Sequence, residues 1–204
     1  MVGAELGLRE RKKLRTRQAV TDAAVRLFAE KGFDATTVEE ICEQAEVSPS
    51  TFFRYFESKE AAAFPEEEPR VRIVEDALRA RPEDEPFNVT IRRAALALVD
   101  YDIESGKDRD VDVRMDLMVR EPALAAYSTR MQARAAERFT AVVAELLGAD
   151  AATDLRPRLL VNLAFAAVNS AWATLRDRGP EEDLRALTVE AFDVLDKGLA
   201  SLLA

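Results

Sequence analysis

Apolar residues recur at the three- and four-residue spacing of a helix along almost the whole chain, and no stretch sustains the two-residue alternation rich in β-branched residues that strands require. The periodicity predicts an all-α fold. A first long helix is expected over 8–31, with Val20, Ala24, Leu27 and Phe28 on one stripe and Gly32 placed for a left-handed residue beyond the helix end. Thr37-Val38-Glu39-Glu40 is a capping box that opens a second helix, and Ser48-Pro49 supplies an N-cap and a first-turn proline for a third. Ser58 can cap a fourth from Lys59 to about Phe64, where Pro65 and Pro69 interrupt it, and a helix is expected to resume over 69–80. The domain boundary is therefore expected at 60/61. Beyond it, amphipathic segments cover 86–104, 108–119, 122–147, 155–177 and 181–203, punctuated by Gly106, Pro122, Gly148 and Gly179-Pro180.

With 48% hydrophobic residues in 204, the chain can bury a core, and what it lacks narrows the chemistry. It has no histidine, so histidine-based triads, histidine metal ligands and an imidazole switch are excluded. Cys42 is the one cysteine and can form no internal disulfide; it reads as a packed core thiol, because a redox sensor needs exposure and a lowered pKa. None of the seven glycines forms a nucleotide-binding loop. Acid pairs such as Asp100 with Asp102 or Asp108 with Asp110 stand two residues apart and do not converge on a helix, so no enzyme, metal site or cofactor is expected. Residues 1–17 carry no apolar leader, and the longest uncharged run, 159–175, is shorter than the ~20 apolar residues a membrane span needs. A cytoplasmic protein without a membrane partner is expected.

Charge is uneven. Arg9-Glu10-Arg11-Lys12-Lys13-Leu14-Arg15-Thr16-Arg17 holds six cations and one anion, whereas the whole chain carries −9. A basic arm on an acidic body reads either as a local polyanion site or as a solvated helix start. The segment that follows decides between them, because helices two and three, separated by a few residues, form a helix-turn-helix candidate. Val47, Phe52 and Phe56 supply the third helix's apolar face, leaving Ser50, Thr51, Arg54 and Tyr55 for the face that enters the major groove.

Gly32-Phe33, the run from Thr36-Thr37-Val38 through Ile41-Cys42-Glu43-Gln44-Ala45-Glu46-Val47-Ser48, and Tyr55-Phe56-Glu57-Ser58-Lys59-Glu60 together resemble the tetracycline-repressor (TetR) family of bacterial transcriptional regulators. The resemblance covers about 16–60. It implies a homodimer with two DNA-binding heads on a palindromic double-stranded operator, and a carboxy-terminal helical domain whose small-molecule effector releases the DNA. Carried over by position, it makes Thr37 a phosphate contact, Ser48, Pro49, Ser50, Thr51, Arg54 and Tyr55 the groove-facing set, and Lys59 a phosphate anchor. Arg9, Arg11, Lys12, Lys13 and Arg15 would add phosphate neutralisation, while Arg54 can contact guanine bidentately. Three positions depart from the pattern: Phe53 stands where tyrosine is frequent, Glu46 where glycine is common, and Cys42 where a small alanine is usual. The broken fourth helix departs too, which suggests a different route of signal transmission. Phe53 and that break are what motivate the alternative, a helical carrier or protein-interaction module that no longer binds DNA.

In the carboxy-terminal part, Phe87, Tyr101, Met115, Met118, Tyr127, Met131, Phe139, Phe165 and Trp172 are candidates for lining a pocket, and they point to a hydrophobic effector, lipid-like or aromatic. Asn162 and Asn169 fall inside the apolar run, where buried amides would either pair across a subunit interface or meet a ligand. The last two helices are expected to form the dimer interface, with Leu199, Leu202 and Leu203 as candidate contacts.

Overall fold

A computed structural model describes residues 7–64, 67–104, 113, 116–117, 120–179 and 181–198, with only the backbone described at 8–11 and 67. Helices account for its regular structure, and no strand occurs among the described residues. They are labelled α1 (Leu8–Lys31), α2 (Val38–Gln44), α3 (Pro49–Tyr55), α4 (Lys59–Ala62), α5 (Glu67–Arg79), α6 (Phe87–Glu104), α7 (Pro122–Leu147), α8 (Arg156–Arg178) and α9 (Leu184–Lys197). The chain divides into two compact units, Met1–Glu66 with Val113–Arg130, and Glu67–Asp112 with Met131–Ala204. The first unit thus extends past the expected boundary and takes in a second, later stretch of chain.

In the first unit the stripe of α1 buries Val20, Ala24 and Phe28 against Ile41 and Cys42 of α2, Phe52 of α3, Phe56, and Ala61 and Ala62 of α4. Leu117 and Leu124 complete that core. The three short helices α2, α3 and α4 each start where the sequence can cap them. Thr37 and Glu40 form the reciprocal capping box of α2, Ser48 Oγ accepts from Thr51 N at 3.2 Å, and Ser58 Oγ accepts from Ala61 N at 3.3 Å. Gly32 ends α1, at φ 87° and ψ 157° rather than in the left-handed helical region expected for it. That extended mirror-image conformation belongs to glycine nearly alone.

The second unit packs α5, α6, the later turns of α7, α8 and α9 around Val71, Val74, Ile91, Ala94, Phe139, Val142, Val143, Val161 and Phe192. A further cluster joins Val99 to Ala171, Leu175, Leu184 and Leu187. Pro69 lies within the first turn of α5, where its missing N–H has no helical partner to forgo. Arg138 on α7 holds α5 through Glu68 at 2.7 Å and Glu75 at 2.8 Å. Asp102, almost completely buried on α6, pairs with Arg70 on α5. Asp183 caps α9 by accepting from the backbone N–H groups of Arg185 and Ala186. Most of the helix expected over 108–119, and the end of the last one with Leu199, Leu202 and Leu203, lie outside the described residues.

Candidate nucleic-acid interface

The turn between α2 and α3 is set by backbone geometry. Glu46 adopts φ 53°, and the N–H groups of Glu46 and Val47 bond back to the carbonyls of Glu43 at 3.2 Å and Cys42 at 2.9 Å. This paired closure ends α2 and turns the chain within three residues. It brings Ser48 to the start of α3, where its hydroxyl also meets those of Ser50 at 2.9 Å and Thr51 at 3.0 Å. Phe52 is fully buried and Phe56 nearly so, their rings 5.6 Å apart, and these two roots fix how α3 is rotated on the core.

That rotation divides the residues expected in the groove. Ser48, Pro49, Ser50 and Arg54 are exposed, whereas Thr51 and Tyr55 are half-buried. Tyr55 packs against the core and lies under the Arg54 guanidinium, 4.9 Å from its ring centroid. The residue facing outward between Ser50 and Arg54 is instead Phe53, at 58% exposure. Its spacing of three residues from Ser50 and four from Pro49 is compatible with that face but does not single it out, since Thr51 and Tyr55 are spaced as well from their neighbours.

Lys59 faces inward as well. Its Nζ donates to the carbonyls of Phe33 at 2.6 Å and Thr36 at 2.8 Å, and sits 4.0 Å from the centre of the Phe33 ring. Two of its three N–H groups therefore hold the α1–α2 turn. Thr37, next to that turn, keeps its own N–H and hydroxyl on Glu40 Oε2, at 2.8 Å and 3.1 Å. The Glu40 carboxyl is held down to about 2 by its hydrogen bond to Lys31, and then by those from Thr37. Lys12, Lys13 and Arg15 are exposed on the first turns of α1, while the side chains of Arg9 and Arg11 are outside the described residues. Arg17, one turn further along, rests over the Phe56 ring at 5.3 Å. Cys42 is buried, and burial followed by the charge of Glu39 pushes its thiol pKa up, the reverse of a redox-active cysteine.

The candidate ligand residues do not gather at one place. Phe165 stacks on Phe139 at 6.0 Å within the second unit, Trp172 packs against the cluster around Val99, and Phe87 lies under the Arg81 guanidinium at 4.3 Å. Tyr101 and Met131 are half-buried, and Met115 and Met118 fall outside the described residues. Tyr127 belongs to the first unit, where it stacks on Phe64 at 5.5 Å and its hydroxyl donates to Glu57 at 3.3 Å. Asn162 and Asn169, expected to be buried, are exposed on α8. They share that surface with Leu159 and Leu163, exposed at 49% and 37%.

A model of the tetR family of bacterial regulatory proteins matches residues 20–61, which run from the second half of α1 into α4. A second model, the MftR C-terminal domain, matches 85–200. The chain belongs to the TetR family. This TetR-family regulator is 34% identical over 198 residues to the transcriptional regulator TcmR of Streptomyces glaucescens, covering 93% of this chain and 85% of TcmR. It is 30% identical over 193 residues to MftR of Mycobacterium tuberculosis, named as a regulator of mycofactocin biosynthesis, covering 94% and 95%. Among solved structures, the regulator FadR of Bacillus subtilis in complex with stearoyl-CoA shares the fold, with a TM-score of 0.60 at 18% identity over 87% of this chain and 96% of FadR. As a TetR-family member the chain is a DNA-binding transcriptional regulator. No helix among the described residues is long and apolar enough to cross a membrane.

Proposed function

We propose that this TetR-family regulator is a homodimeric repressor that a small hydrophobic effector releases from a palindromic operator. The observation that carries this reading is the outward face of α3: Pro49, Ser50 and Arg54 are solvent-exposed on a helix rooted by Phe52 and Phe56, with Lys12 and Arg15 exposed on α1 of the same unit. Arg54 and Ser50 would read base edges, and the basic turns of α1 would neutralise phosphate. Lys59 contributes chiefly by fixing the turn that presents Thr37, since most of its hydrogen-bonding capacity is already used there. The two heads must meet successive major grooves, roughly 34–36 Å apart or a multiple of it.

The dimer is supported by the exposed row of Leu155, Leu159 and Leu163 on and beside α8, which stand at 70%, 49% and 37% exposure. With Asn162, Ala166, Asn169 and Ser170 also exposed, that face supports the amides pairing across a subunit interface rather than meeting an effector. An effector site is proposed among the apolar residues of the second unit around Phe139, Phe165 and Trp172. Effector binding would bias the dimer toward a head spacing that misfits the operator, with reciprocal coupling of about 1 to 3 kcal/mol.

Selection of an operator from a random duplex library, followed by anisotropy at several salt concentrations, tests this. Sequence-selective binding that falls with salt and is relaxed by Arg54→Ala is the expected result. Failure to select any sequence would overturn it.

A further inference from the structure

We propose that Phe53 is a specificity-determining residue that reads the 5-methyl group of thymine in the operator. The inference rests on the DNA-binding reading and adds a base to it. Phe53 exposes 58% of itself in the centre of a short polar helix face, whereas Phe28, Phe33, Phe52 and Phe56 lie in the core of the same unit. Phe53 shares its face with Pro49, Ser50 and Arg54, all exposed, and no acidic residue of α3 lies among them.

The chemistry of that face restricts what can cover it. The ring has no donor or acceptor, so it cannot hold phosphate as a tyrosine hydroxyl would. In the major groove the one apolar group presented by a base pair is the thymine methyl, and phenylalanine is among the side chains that suit it. Arg54 beside it on α3, with Lys12 and Arg15 exposed on α1 of the same unit, complements a polyanion and would repel most apolar protein surfaces that carry their own basic rim. The ring is also held in place. It packs edge-on against Phe52, 5.2 Å between centroids at an interplanar angle of 81°, and Phe52 is itself immobilised in the core. A probe fixed in advance loses little freedom on binding.

The test uses the full-length protein and the operator obtained by library selection. Each thymine of a half-site is replaced in turn by deoxyuridine, which removes the methyl and nothing else, and affinity is measured for the wild type and for Phe53→Ala. The expected result is one thymine per half-site whose replacement weakens wild-type binding about fourfold, the effect of losing one buried methyl-sized group. Phe53→Ala should bind the thymine and deoxyuridine duplexes equally. A wild-type protein indifferent to every thymine methyl overturns the inference, as does a methyl effect that persists in Phe53→Ala, and both leave the regulator reading standing. A protein that selects no DNA overturns both. The wild-type scan needs no variant and can overturn the inference alone, while assignment of a methyl effect to Phe53 uses the variant, whose folding thermal melting checks separately.

Discussion

Glu46 is where the sequence and the backbone disagree most sharply. A glutamate at φ 53° is strained, yet the turn into α3 requires that conformation. Glu46→Gly should therefore raise the unfolding free energy by about 1 kcal/mol in urea melts with an unchanged slope; an unaltered midpoint would mean the strain is relieved elsewhere. Lys59 behaves in the opposite sense. Lys59→Met removes both bonds to the Phe33 and Thr36 carbonyls and should cost about 1–3 kcal/mol, with faster amide exchange in the α1–α2 turn than a lost phosphate contact alone would give. The strain at Glu46 was legible in the sequence, because the family pattern marks a glycine position. The exchange of Phe53 for Tyr55 on the outer face was not, because a seven-residue helix carries too few turns for its periodicity to fix its rotation. Phe52 and Phe56 fix it only once they have a core to enter.

At the scale of single helices, the caps of α2, α3 and α4 were the most legible feature, since each rests on residues three apart in sequence. The cap of α2 is also sensitive to acid. The Glu40 carboxyl is held near 2, below its ordinary 4.5, so its contribution to stability is complete above about 4.5 and is lost as the pH falls toward 2. Urea midpoints measured across that interval should fall less steeply in Glu40→Gln than in the wild type. For α8 the sequence left a choice open. The uncharged run over 159–175 suited either an interface or a ligand-lined core, and in the single subunit Leu159, Asn162, Leu163 and Asn169 face outward. A row destined for a partner and a row destined for the core exclude water alike, so composition cannot separate them. Leu163→Glu should convert the proposed dimer to a monomer by light scattering without lowering helicity; an unchanged mass would reject this face as the interface.

For the whole molecule, charge and chain order matter more than any contact. A chain of net charge −9 approaches DNA only through its basic end, so Lys12→Ala and Arg15→Ala should each flatten the salt dependence of binding by about one unit of slope, uniformly across sequences. Fold class, the head and its capped helices were readable from local pattern. The second contribution to the first unit was not, because Leu117, Leu124 and Tyr127 join its core from far along the chain, and no local period records such a return. That discontinuity governs how the protein is made. The residues up to Glu66 leave the ribosome with part of their core still unsynthesised, and the segment ending at Arg130 follows roughly 3 to 13 seconds later at ordinary elongation rates. During that interval the nascent head presents an uncovered apolar surface that chaperones can hold, and its core is complete only after Glu67–Asp112 of the second unit has been translated.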